Sequence, residues 1–155
     1  MQTLGLGFTW EQLSAGQRFR TLNRTVTETD LVMFTGVTGM LEVIFTDRTF
    51  GADSGTIQGQ FVPAALTYSL IEGLLCQSMI QGTGLAMLDL KKQVLAPVRV
   101  GDTINGEIEV TSVRPTSKGN RGIVVSKIDI KNQRDEVVIT YEATRMLAGK
   151  SDKKA

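Results

Sequence analysis

No histidine occurs anywhere in the 155 residues of this chain. Histidine is the side chain that titrates nearest neutral pH and the commonest general base. Its absence excludes a Ser-His-Asp triad, a Cys-His pair and any histidine-held metal. Cysteine is nearly absent too: Cys76 stands alone, so no intrachain disulfide can form. A reducing, cytoplasmic setting is the expectation. One cysteine and scattered acids do not make a zinc set. With no base to activate it, Cys76 reads as a buried structural residue. Aromatic residues are only 6% and the net charge is +1, with no basic stripe. Neither nucleic acid nor an anionic membrane surface is an expected partner. Long hydrophobic runs are also missing. The most apolar stretch, residues 62–80, is broken by Thr67, Ser69, Glu72, Gly73, Gln77 and Ser78, which suits a core helix and not a membrane span. The first ten residues have no basic segment followed by an apolar run, so no signal peptide is expected.

What is present is ordinary for a globular domain: 41% hydrophobic and 21% charged residues. The length suits one domain with a sizeable core. We assign residues 1–148 to it and residues 149–155, Gly-Lys-Ser-Asp-Lys-Lys-Ala, to a disordered basic tail.

Periodicity gives an α+β order of elements. Residues 17–26 carry Phe19, Leu22 and Val26 and read as one strand. Thr27-Glu28-Thr29-Asp30 has the threonine and the acid three residues on that start a helix. That helix ends near Thr38, where Gly36 and Gly39 weaken it. Residues 39–59 read as irregular, which is long for a loop in a compact domain, and such loops are often functional. Residues 62–80 form the strongest helix, with Pro63 in the first turn, where a missing N–H costs nothing. Apolar residues run nearly all round it, so it is expected to be buried on every side. Residues 85–94, 103–113, 122–132 and 136–147 follow as strands, and Asn132-Gln133-Arg134-Asp135 is a hairpin loop. The reading is one long central helix gripped by an antiparallel sheet of about five strands.

These strings resemble a known family. The order of elements is similar to the hot-dog fold, a curved antiparallel sheet wrapped round one long helix. Leu13-Ser14-Ala15-Gly16-Gln17-Arg18-Phe19, Thr27-Glu28-Thr29-Asp30-Leu31-Val32-Met33-Phe34 and Ala96-Pro97-Val98-Arg99-Val100-Gly101-Asp102-Thr103 resemble segments of its MaoC-like branch. So do Val62-Pro63-Ala64-Ala65-Leu66-Thr67-Tyr68 in the central helix, Arg114-Pro115-Thr116-Ser117-Lys118, and Asn132-Gln133-Arg134-Asp135-Glu136-Val137-Val138 in the final hairpin. That branch contains the (R)-specific enoyl-CoA hydratases and dehydratases. Its catalytic signature is G-D-x-N-P-x-H-x-D. Gly39 and Asp47 frame that pattern here, but Met40 stands at the aspartate position, Phe45 at the histidine position and Glu42-Val43 at the Asn-Pro pair. Neither Met nor Phe can accept a proton, so the family's acid and base are both missing. The resemblance also implies a carbonyl-binding N–H at the start of the central helix, usually on the glycine of a His-Gly pair. Here that pair is Pro63-Ala64, and Ala64 still has its N–H.

The candidate site residues follow. Glu42, inside the loop frame, and Glu72, mid-helix, are the acids that could replace the dyad. For Glu72 the bland alternatives are a place on the least buried stripe with Ser69 or a hydrogen bond across a dimer. Asp47 reads as a turn or cap. Met40, Phe45, Ala64 and Ala65 are the expected substrate contacts, and Lys91, Lys92 and Arg99 could meet the phosphates of coenzyme A. Gly82-Thr83-Gly84 is too short for a phosphate loop. The resemblance implies an acyl-CoA or acyl-carrier thioester as ligand and no covalently bound cofactor.

Three functions remain open at this point. The first is a thioester-binding protein without the dyad, a non-catalytic subunit that forms a homodimer or pairs with an active homologue. The second is a hydratase or thioesterase with relocated chemistry at Glu42 or Glu72, with Thr35, Thr38 and Thr46 as nearby hydroxyls. The third is a structural interaction module.

Overall fold

The computed structural model describes residues 3–52, 55 and 58–150. Thr27 starts helix α1, Glu28–Thr38, through a capping box: its hydroxyl accepts from the Asp30 N–H, and Asp30 Oδ2 accepts from the Thr27 N–H at 2.8 Å. Gly39 ends the helix at φ 72°, a left-handed conformation that glycine adopts without a Cβ clash. The next segment, expected from its glycines to be irregular, is not wholly so. Val43–Thr46 forms one further short helix, α2. Asp47 follows it as a turn residue, its Oδ1 accepting from the N–H and hydroxyl of Thr49.

The central helix is α3, Ala64–Gln77, shorter at both ends than the apolar run suggests. Strands β3 (Gly84–Val94), β4 (Thr103–Pro115), β5 (Arg121–Lys131) and β6 (Val137–Ala148) follow. The single strand expected over residues 17–26 is two short ones, β1 (Arg18–Arg20) and β2 (Arg24–Thr25), both paired with β4. Between them Thr21 exchanges bonds with Gly106, its N–H donating to the carbonyl and its hydroxyl accepting from the N–H, and Leu22 turns out to solvent. The sheet therefore has six strands, not about five. Its order is β1-β4-β5-β6-β3, antiparallel throughout, with β2 beside β4.

The core lies between α3 and the inner face of this sheet. Ile104, Ile108 and Val110 from β4, Ile128 and Ile130 from β5, and Ile139, Tyr141 and Leu147 from β6 are buried, each set at the two-residue spacing of a strand face. Gly106 lets the helix approach closely, because a Cβ there would come within 2.9 Å of Ile71 Cγ2. Bulges in the β3–β6, β4–β5 and β5–β6 pairings bend the strands.

Two burial expectations fail. The sheet covers only one side of α3: Leu66, Thr67, Ile71 and Leu75 are buried, while Ser69, Cys76 and Gln77 are exposed. Cys76 is therefore a surface residue, not a buried one. The reason is geometric, since a single sheet layer can cover one face of a helix. The start of the anticipated tail is held: the Gly149 N–H donates to the Asn120 carbonyl and the Lys150 N–H to the Glu11 carboxylate. Residues 151–155 lie outside the described residues. Among the described residues, no helix is long and apolar enough to cross a membrane.

Candidate functional site

The start of α3 is fixed by a short pairing on its N-terminal side. The Val62 N–H donates to the Val98 carbonyl and the Val100 N–H to the Gln60 carbonyl, with Phe61 bridging Arg99. The turn carrying Arg99 is tied down by Asp102, which is buried and accepts from the Arg99 N–H at 2.8 Å and from Gln133 Nε2 at 2.7 Å. Pro63 caps the helix in an extended conformation, and Ala64 is the first helical residue. The first N–H groups of a helix have no partner within it. Among the described residues none accepts from the Ala64 N–H.

Ala64 lines a cavity of about 470 Å³. Helix α2 supplies Ile44 and Phe45 to its wall, the end of β3 supplies Val94, and Phe61, Thr67 and Ile139 complete the arrangement around the helix start. Not one of its twelve described lining residues has a titratable side chain. The cavity is suited to an apolar chain with one carbonyl, which the helix dipole and the Ala64 N–H would polarise. Among the described residues of its wall no side chain can act as a general acid or base near neutral pH. A second cavity of about 390 Å³ is lined by Leu31, Thr35 and Leu41, and Phe45 lines both.

The structure brings Phe45 and Ala64 together and leaves the other candidates elsewhere. Met40 and Glu42 are exposed and line neither of these two cavities. Ala65 is half-buried and is not part of the cavity wall. Thr35, Thr38 and Thr46 each donate to a helical carbonyl four residues back. Lys91 and Lys92 are consecutive on β3 and so face opposite sides. Lys91 approaches Asp89 and Glu142, and Lys92 Nζ lies 4.8 Å from the Tyr68 ring centre. Arg99 lies over Phe61, 4.6 Å from its centroid, and its Nε donates to the Gln58 carbonyl. It therefore sits against a residue of the cavity wall.

Glu72 belongs to a second site. It is eight residues from Ala64, about 12 Å along the helix axis. Its Oε1 accepts from Tyr141 Oη at 2.6 Å and from Arg145 Nη2 at 2.5 Å. Glu72 is thus engaged within the chain, not on a solvated stripe. Burial and then the adjacent Glu72 carboxylate push the Tyr141 hydroxyl well above tyrosine's usual range. Glu72, Cys76, Met87 and Arg145 line a cavity of about 410 Å³ at the far end of α3. Tyr141, Arg145 and Thr67 are polar residues that the sequence reasoning missed. Arg145 had a legible signal: it shares the inward face of β6 with Tyr141, Ala143 and Leu147, where a charge must find a partner. Thr67 had none beyond its place in an apolar run.

A sheet laid over one long helix, with a ligand-sized cavity at the helix start, defines a hot-dog fold protein. The MaoC like domain matches residues 11–144. The chain belongs to that hydratase and dehydratase family. The (R)-hydratase of A. caviae involved in PHA biosynthesis is 26% identical, with a TM-score of 0.73 over 87% of this chain and 97% of that one. A monoamine oxidase regulatory protein from Archaeoglobus fulgidus is 27% identical, with a TM-score of 0.80 over 93% of this chain and 96% of that one. RV0216 of Mycobacterium tuberculosis, a double hot-dog protein, shares the fold at 19% identity and a TM-score of 0.85. This chain covers 46% of it, and the match takes in 96% of the present chain. No curated protein sequence matches.

Proposed function

We propose that this protein binds acyl thioesters at the start of α3 and does not hydrate them, acting as the non-catalytic member of a pair of hot-dog units. One observation carries the reading: the cavity holding the free Ala64 N–H has no titratable side chain in its described wall. Adding water across an enoyl double bond needs a positioned base. Phe45 stands on the wall where the family resemblance places histidine. The ligand is an acyl-CoA or acyl-carrier thioester, with Arg99 at the rim as a phosphate contact. Pairing is supported by β3, whose eleven residues are all exposed, and by the uncovered side of α3. The partner is a second copy or an active homologue. RV0216, with two such folds in one chain, is consistent with a unit that works in twos.

The test sets binding against turnover. Calorimetric titration with butyryl-CoA is expected to show binding, and crotonyl-CoA is expected to remain unhydrated by the purified chain. Turnover that is abolished by Glu42→Gln or Glu72→Gln would overturn the non-catalytic reading. It would favour the second reading, relocated chemistry, for which the Glu72–Tyr141–Arg145 group on its own cavity is the supporting observation.

A further inference from the structure

Cys76 and the Glu72–Arg145 pair line one cavity of about 410 Å³, with Ile80, Leu85 and Met87 in its apolar wall. The thiol is exposed. The ion pair beside it is incompletely used. Tyr141 Oη and Arg145 Nη2 both donate to Glu72 Oε1, and Oε2 accepts from no described group. Arg145 is 6% exposed, and among the described residues only its Nη2 finds a partner. Its Nε is enclosed and unpaired, whereas Nη1 and Glu72 Oε2 are not enclosed. A buried guanidinium short of acceptors is costly. The cavity therefore presents a free donor, a free acceptor and a thiol. Arg145 and Glu72 balance in charge, so the complementary group is neutral and carries both a donor and an acceptor, as an amide does. Cys76 follows Glu72 by four residues on α3. Such residues have Cβ atoms about 5–6 Å apart, a gap that a sulfur and an amide two carbons away can span.

We propose that Cys76 is a modification site that forms mixed disulfides with small thiols bearing an amide two carbons from the sulfur. The disulfide of such a thiol is the oxidant. The Cys76 thiol gives its proton to water, and its sulfur attacks one sulfur of the disulfide. The new S–S bond forms as the old one breaks, and the departing sulfur leaves as a thiolate that takes up a proton. In the adduct the amide N–H donates to Glu72 Oε2 and the amide carbonyl accepts from Arg145 Nη1. The two stem carbons lie against the apolar wall. The inference stands apart from the thioester reading, because the cavity at the start of α3 takes no part in it.

The experiment equilibrates the reduced full chain with oxidised N-acetylcysteamine, and separately with hydroxyethyl disulfide, which has no amide. Cys76 is the only cysteine, so intact-mass spectrometry reads its adduct directly. Each exchange constant is divided by that of a peptide of residues 73–79 with the same disulfide, which removes the intrinsic difference between the reagents. The normalised constant for the amide reagent is expected to be roughly tenfold larger. Glu72→Gln places an amide N–H2 where the adduct's own N–H must donate, and the ratio falls to about one. The N-methylated reagent, which lacks that N–H, gives the same fall in the unmodified chain and serves if the variant does not fold. Oxidised glutathione and oxidised coenzyme A both carry the amide two carbons from sulfur, and the larger normalised constant identifies which of them the cavity takes. A ratio of about one in the unmodified chain would overturn the inference. So would a preference that survives both Glu72→Gln and N-methylation, or a folded chain whose thiol forms no adduct.

Discussion

Asp30 shows how one side chain in this protein serves several partners at once. Its Oδ2 accepts from the N–H and hydroxyl of Thr27, and its Oδ1 accepts from Arg24 Nη2 at 2.7 Å. Burial raises the carboxyl's pKa, but the Thr27 donors and the Arg24 guanidinium outweigh it and hold the group below its ordinary value of 3.8. A depressed carboxyl contributes stability that is fully present above the ordinary value and is lost as pH falls through the folded-state value. Asp30→Asn is therefore expected to lower stability by about 1–2 kcal/mol at neutral pH. Urea unfolding at a series of pH values checks this. The gap between the two proteins should stay constant down to about pH 4 and shrink below it; a gap independent of pH would show that charge is not involved. The capping box was legible in Thr27-Glu28-Thr29-Asp30 because its partners are three residues apart. The Arg24 pair was not, because it depends on β2 turning back towards α1.

At the scale of elements, the contact of α3 with β6 is held by Glu72, Tyr141 and Arg145. The Arg145 side chain is 7% exposed and that of Glu72 16%. Breaking such a pair by removing one partner leaves a buried charge and costs about 3–5 kcal/mol. Arg145→Met is expected to fall in that range by chemical denaturation. Glu72→Gln combined with Arg145→Met removes both charges and keeps an amide oxygen for Tyr141. It is expected to recover about half of the loss. Additive losses in the double variant would mean that the two side chains do not act as a pair. The helix and β6 were each readable from their periodicities. That Glu72 faces Arg145 across 73 residues was not, since nothing local relates them. The same limit applies to α2. Four residues between Glu42 and Asp47 are too few to show a helical period, so the segment reads as loop.

At the scale of the whole molecule, the unsolved surface is the β3 edge. A long, exposed edge strand carrying Leu85, Leu88, Leu90 and Val94 offers unpaired backbone groups and apolar side chains to another chain. Edge pairing through β3 predicts a native mass twice the 16.9 kDa of one chain for a homodimer. Leu88→Lys with Leu90→Lys is expected to return it to one chain, because lysine at an edge opposes strand addition. Light scattering across a concentration series reads both states. A chain that is monomeric before any substitution would remove the homodimer and leave pairing with a homologue. The apolar girdle of α3 belongs to the same question. The sequence presents a nearly all-round apolar helix, yet one sheet layer covers one side, and the residues left exposed on α3 are Ser69, Cys76 and Gln77.

The sequence by itself determined the order of the major elements, the start of α1 and the alternating strands of the sheet. Each of these depends on residue type and short-range spacing, which survive without coordinates. Only the tertiary structure decided which residues of the loop after α1 line a cavity. Phe45 reaches the cavity at the α3 N-terminus, while Met40 and Glu42 stay outside it, although all three lie within six consecutive residues. Phe45 lies in α2 while Met40 and Glu42 precede it, and where that short helix leans is set by packing against distant elements. The same packing closes Thr67 into an apolar wall and leaves Cys76 in the open, distinctions to which helix propensity and hydrophobic pattern are blind.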